Sequence, residues 1–147
     1  MGVSIRRAAP ADGDALLSLI RDHALFERAE ASIARETLSG LLVAPAPPCL
    51  LFVAAQGDAL LGYAALTLDY ALWRGHCWGH LDCLYVDAAH RGRGIGEQLL
   101  AAARQEARAR GADRMEWQTP DWNERAAEFY RRIGATMTSR ARFALAL

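Results

Sequence analysis

The sequence predicts an α/β fold: one domain, residues 1–147, with a mixed, mostly antiparallel sheet of about six to seven strands flanked by four helices. Three features carry that expectation. A hairpin pattern occupies the middle of the chain at residues 50–68, amphipathic helical stripes stand on both sides of it, and a glycine-rich turn joins a strand to a helix after Val86. A length of 147 residues leaves room for one core, and 52% apolar with 23% charged residues excludes a disordered or fibrous chain.

Val3 to Ala8 reads as a first strand. After Pro10, Asp12 is placed to cap a helix carrying Leu16, Leu19, Ile20 and His23 on one face, and Ser32 to cap a second helix through Leu38, Leu41 and Leu42. The Pro-rich loop Ala44–Pro48 then separates helices from strands. Leu50 to Ala55, the Gln56-Gly57-Asp58 turn and Leu60 to Leu68 give the hairpin, and a long strand runs from about His76 to Val86. Gly92, Gly94 and Gly96 precede a stripe of Leu99, Leu100, Ala103 and Ala107, which Gly111 stops. Met115 to Thr119 fits a short strand. Asp121 to Glu124 has the form of a capping box with Asp121 as the cap, opening a helix with Ala126, Phe129, Tyr130 and Ile133 on one stripe and Gly134 at its end. Residues 135–147 supply two short final strands.

Charge and cysteine usage narrow the function classes. The net charge is zero, which does not suit a grip on a polyphosphate backbone, so no nucleic-acid partner is expected. No apolar run approaches the roughly 20 residues of a membrane span, and Met1 to Pro10 lacks an apolar signal region, so a cytoplasmic location without a membrane partner is expected. Cys49, Cys77 and Cys83 are odd in number and form no C-x-x-C, which favours reduced thiols. Cut before Arg91, the chain divides into a −4 half and a +4 half, and every basic residue is arginine.

Leu84-Tyr85-Val86 followed by Arg91-Gly92-Arg93-Gly94-Ile95-Gly96 and a helix aims backbone N–H groups and the positive end of a helix dipole at one spot. That suits a phosphate group. Glycine is needed because a Cβ would hold the ligand off the amides and disfavour positive φ. There is no G-K-[ST] for a nucleoside-triphosphate loop, and a dinucleotide G-x-G-x-x-G from Gly92 would need glycine where Glu97 stands.

With Arg91-x-x-Gly94-x-Gly96, with Asn123-Glu124, and with Phe129-Tyr130-Arg131-Arg132-x-Gly134, the chain resembles the GNAT N-acetyltransferases. It is most similar to their spermidine/spermine and thialysine branch, over Leu19 to about Met137, including Leu25-Phe26-Glu27, Gly62-Tyr63-Ala64 and Asp69 to Trp73. The branch has a Glu-Asp pair where this chain reads Asp82-Cys83, one acceptor carboxylate fewer, and the Asp69 to Asp82 segment is a few residues longer.

The resemblance implies acetyl-CoA as co-substrate, a small-molecule primary amine as acceptor, direct attack in a ternary complex, and a homodimer. Leu84, Tyr85, Val86, Arg91, Gly92, Arg93, Gly94, Ile95, Gly96, Asn123 and Phe129 would then touch the coenzyme, and Tyr130 would be the general acid. An alkylammonium is neutral so rarely at pH 7 that deprotonating it costs roughly 4–5 kcal/mol, and a carboxylate must help. Asp82 is the first choice and Glu27 the second, with Glu27, Asp69, Trp73 and Asp82 forming the cation pocket. His76, Cys77, His80, Asp82 and Cys83 offer metal-ligand types, but strand alternation puts both cysteines on the face away from the other three, so no metal is expected. A CoA-binding sensor or interaction module without turnover is the second class of reading, and protein N-termini or aminoglycosides are other acceptors.

Overall fold

The structure, a computed structural model, describes residues 2–147. They divide into two compact units, the residues up to 117 and residues 118–147. The first holds a five-stranded sheet, β1 (Ser4–Arg7), β2 (Leu50–Gln56), β3 (Ala59–Ala71), β4 (His76–Val86) and β5 (Met115–Glu116), with helices α1 (Gly13–Phe26), α2 (Arg35–Val43) and α3 (Ile95–Ala109). The second holds α4 (Glu124–Arg132). The mixed α/β class and the four helices are as the sequence predicts.

Strands lie in the order β1-β2-β3-β4-β5, antiparallel except for the parallel β4–β5 pair. That exception follows from α3, because a parallel partner needs a long crossover and α3 supplies it. The start of α3 therefore stands beside the carboxyl end of β4. Tyr63 and Tyr85 join Leu16, Leu17, Leu19, Leu38, Leu51 and Val53 in a core between the sheet and the α1 and α2 helices. The opposite face is packed by α3: a Cβ built on Gly62 would lie 3.2 Å from Leu99 Cδ1, and one on Gly79 would lie 3.0 Å from Ala107 Cβ. Each buried leucine stabilises by about 1.5–3 kcal/mol relative to exposure.

One irregularity shapes the site. The β3–β4 ladder pairs Leu66 with Leu81 and Ala65 with Cys83, so Asp82 is an extra residue in a bulge. A bulge breaks the period of two and brings neighbouring side chains together. The expected separation of Cys83 from Asp82 on opposite faces does not hold, and the Cys83 thiol donates to Asp82 Oδ2 at 3.6 Å.

Other expectations are corrected as well. Asp12 stands at the N-cap of α1 but does not cap it. Its carboxylate is taken by Arg6 Nη1 and Nη2 at 2.7 and 2.9 Å and by the Ala9 amide at 2.7 Å. The N-cap of α2 is Ala34 rather than Ser32, and Arg35, its first residue, is tied to Asp14 of α1 by Nε at 2.6 Å. The cap of α4 is Asn123, whose Oδ1 accepts from the Ala126 amide at 3.2 Å, so Asp121 does not cap. The Met115–Thr119 strand shortens to two residues. Residues 135–147 form no strand, which accounts for five strands rather than six or seven. Phe143, Leu145 and Leu147 are exposed there and belong to no ladder.

Candidate active site

At the end of β4 the chain makes a single 3-10 turn at Ala88–His90, then the glycine turn, then α3. Gly92 and Gly94 take φ of +75° and +76°, the left-handed region that a Cβ disfavours. Gly94 is the N-cap of α3, and the first intrahelical amide bond runs from Gln98 to the Gly94 carbonyl at 3.1 Å. The amides of Ile95, Gly96 and Glu97 therefore stand at the positive end of a fifteen-residue helix with no carbonyl of that helix as acceptor. Ile95 anchors the turn from below at 2% exposure. A Cβ on Gly92 would meet no heavy atom within 4 Å, so the space above the turn is open. These residues fit a diphosphate.

Arg91 is folded back. Its Nε donates to the Val86 carbonyl at 2.8 Å, and its guanidinium lies 4.7 Å from the Phe26 ring and 5.4 Å from that of Tyr85. It braces the turn against α1, while Arg93 is exposed at the rim. Pairing of β4 with β5 covers only Gly79 and His80, so from Leu81 to Val86 β4 continues past the end of β5. Leu84, Tyr85 and Val86 pair with Ala64, Tyr63 and Gly62 of β3 on their other side.

Beneath the turn lies a polar chain that sequence reasoning did not assemble. His23 Nε2 is 2.7 Å from Glu27 Oε2 and its Nδ1 is 2.6 Å from the Tyr63 hydroxyl. A carboxylate only accepts, so Nε2 carries a proton toward Glu27. Nearby, the Cys83 thiol reaches Asp82. Burial, with the Asp82 charge beside it, pushes the Cys83 thiol up to about 12, and burial likewise raises Tyr63. Both stay protonated. Cys49 is raised to about 11, again by burial first. Two signals were available in the sequence: His23 on the apolar face of its helix, and Glu27 one turn later at i+4.

The remaining candidates are dispersed. Asp82 is exposed at the bulge, and Asp69, opposite Trp78, lies four residues along β4 from it, roughly 13 Å at the rise of a strand. Asp69 Oδ1 accepts from the Tyr70 amide at 2.8 Å. Trp73 sits in the turn after β3, fully exposed, rather than inside a strand. The following Arg74 forms a two-pronged bond to Asp113 with both contacts at 2.9 Å. In the 118–147 unit, Tyr130 and Phe129 are half-buried with ring centroids 5.3 Å apart, and the Asn123 side chain is committed to its cap. Among the described residues no group of three or more His, Cys, Asp or Glu side chains is placed to hold a metal ion, and no helix is long and apolar enough to cross a membrane.

A strand, glycine turn and long helix on a mixed sheet, with amides collected at the helix start, define an α/β protein with an anion site at a helix start. The model of the acetyltransferase (GNAT) family matches residues 16–135, and the chain belongs to that family. It is 31% identical to the thialysine N-epsilon-acetyltransferase of Bos taurus over 143 residues, spanning 90% of this chain and 84% of that one. It is 27% identical to a peptidyl-lysine N-acetyltransferase of Salmonella typhimurium, covering 96% and 88% of the two chains. An aminoglycoside acetyltransferase from an uncultured soil metagenomic sample superposes with a TM-score of 0.81 at 24% identity, covering 99% and 96%. Further thialysine N-epsilon-acetyltransferases, from Sus scrofa and Mus musculus, match at 27% and 28% identity, in line with the branch resemblance.

Proposed function

We propose that this enzyme transfers the acetyl group of acetyl-CoA to the primary amine of a small molecule, a polyamine, diamine or thialysine-like amino acid, by direct attack in a ternary complex. The observation that carries the reading is the open glycine turn at the start of α3, with the Ile95, Gly96 and Glu97 amides toward a diphosphate. The edge of Leu84–Val86, beyond the last β5 pair, would pair with the amides of the pantetheine arm as an added strand does, and one of its N–H groups would meet the oxyanion. Asp82, exposed beside that edge, would hold the ammonium and take its proton. Tyr130 would hydrogen-bond the departing sulfur. Full proton transfer from a phenol to a thiolate is uphill by roughly 2 kcal/mol, so a bond that strengthens as charge develops suffices. We also assign the enzyme to the cytoplasm as a homodimer, and its action to free amines rather than nucleic acid or membrane.

A panel of primary amines with acetyl-CoA, read by release of CoA thiol and by mass of the product, tests this. Diamines and thialysine-like amino acids are expected to give turnover. Binding of acetyl-CoA without thiol release for any amine would favour a CoA sensor, and absence of binding at millimolar coenzyme would overturn the reading.

A further inference from the structure

β3 and β4 run on together beyond the rest of the sheet. β2 begins at Leu50, opposite Leu66, so Thr67 to Ala71 pair with β4 alone. The core under α1 and α2 holds Tyr63, Ala65 and Tyr85, with Cys83 packed against it. At a period of two, Thr67 and Asp69 continue that face past the core, and the register sets His80 opposite Thr67 and Trp78 opposite Asp69. The contacts agree: His80 Nδ1 lies 3.3 Å from Thr67 Oγ1, and the Trp78 and His80 rings meet edge to face at 6.0 Å. Asp82 belongs to the same row, since its Oδ2 accepts from the Cys83 thiol. We infer that Trp78 is the surface on which the acceptor's carbon chain lies, running from Asp82 over His80, and that the enzyme thereby selects amines by the length of chain beyond the reacting nitrogen; this rests on the amine-acetylation reading above.

The other face of β4 leaves no room for an acceptor. A Cβ built on Gly79 would lie 3.0 Å from Ala107 Cβ and 3.1 Å from Met115 Cγ, so that side is filled by α3 and β5. On the row itself Trp78 and His80 are half-buried and Thr67 braces the imidazole, while Asp82 and Asp69 are exposed at the two ends. Methylenes suit the aromatic middle, and a second cation suits the far end, where an indole face and a carboxylate stand on paired residues. Arg74, just past the row, does not oppose that cation, because its guanidinium is held by Asp113 through two contacts of 2.9 Å. Trp73, the tryptophan that the resemblance nominates, is fully exposed in the turn beyond the row.

The test uses the full chain with acetyl-CoA and three terminal diamines, diaminopropane, diaminohexane and diaminodecane, each read by release of CoA thiol. Asp82 and Trp78 are four residues apart on β4, roughly 13 Å. An extended chain advances roughly 1.2 Å per bond, so diaminodecane spans the row and diaminopropane ends over His80. For the wild type, kcat/KM is expected to rise at least about tenfold from the shortest diamine to the longest. Trp78→Ala is expected to remove the rise by increasing KM for diaminodecane about tenfold, with KM for diaminopropane and the dissociation constant for acetyl-CoA within about twofold. Trp78→Phe keeps an aromatic face and is expected to keep most of the rise. A merely structural role would move all three diamines alike. Should Trp78→Ala fail to fold, Trp78→Leu takes its place, with the same loss expected. A wild type that turns over all three equally would overturn the assignment and leave acetyl transfer standing, as would a rise that survives loss of the indole or one that Trp73→Ala abolishes in its stead. A wild type that binds acetyl-CoA and releases no thiol with any primary amine would overturn both.

Discussion

Arg91 donates from Nε to the Val86 carbonyl at 2.8 Å, tying the first residue of the glycine turn to the last residue of β4. The same guanidinium lies 4.7 Å from the Phe26 ring, so one side chain links the turn, the strand end and α1. Arg91→Ala removes a hydrogen bond and a stacked cation together, a loss of about 1–2 kcal/mol. The expected outcome is about a tenfold weaker calorimetric affinity for acetyl-CoA, with a modest drop in melting temperature. Arg91→Lys should rescue little, since an ammonium cannot reproduce the planar stack.

Two glycines in helical segments should respond to alanine with opposite signs. Gly94 holds φ of +76° at the N-cap of α3, and alanine there costs roughly 1–2 kcal/mol of strain whatever the space around it. Gly40 lies exposed inside α2, with no heavy atom within 4 Å of a built Cβ, and alanine there is expected to stabilise by about 0.5–1 kcal/mol. Chemical denaturation of both variants checks the signs. Only Gly94→Ala should also weaken coenzyme binding.

The glycine turn was readable because its requirement is local: positive φ, no Cβ, and a helix directly after it. Gly92 and Gly94 declare that without reference to any other part of the chain. The same holds for β4, where a long run bounded by turn residues matched His76–Val86. The Asp82–Cys83 contact and the Tyr63–His23–Glu27 chain were not readable, because the first depends on a bulge that appears only once β3 and β4 are in register and the second on a histidine from a distant helix reaching Tyr63. The expected Asp12 cap failed for the related reason that its side chain has other suitors. Asp12 prefers the two nitrogens of Arg6, and no local pattern reveals that competition.

That Arg6–Asp12 pair sets an acid dependence. The hydrogen bonds from Arg6, and with them the Ala9 amide, hold the Asp12 carboxyl below its ordinary range. A depressed folded-state pKa contributes stability that is present above the unfolded value near 3.9 and is lost as pH falls through the folded one. Arg6 is 42% exposed, so solvent screening keeps the contribution at about 1 kcal/mol. Asp12→Asn should be less stable than wild type in urea by that amount at pH 7, and the gap should narrow below pH 4. An equal gap at pH 7 and pH 3 would contradict the assignment.

Tyr130 stands on the half-buried stripe of α4 with Ala126, Phe129 and Ile133. Phenylalanine keeps that packing and removes only the hydroxyl, so the variant separates a chemical role from a structural one. If the hydroxyl stabilises sulfur as the thioester breaks, the interaction is made in the transition state and scarcely in the bound state. Tyr130→Phe is therefore expected to lower kcat by about 10²-fold, with the dissociation constant for acetyl-CoA and the melting temperature nearly unchanged. The loss should shrink for an acyl donor whose thiol leaving group is more acidic, because a better leaving group needs less help from a proton donor. A rate unaffected by the substitution, in an assay where single-turnover kinetics show chemistry to be limiting, would remove Tyr130 from the reaction and leave it as a packing residue of α4.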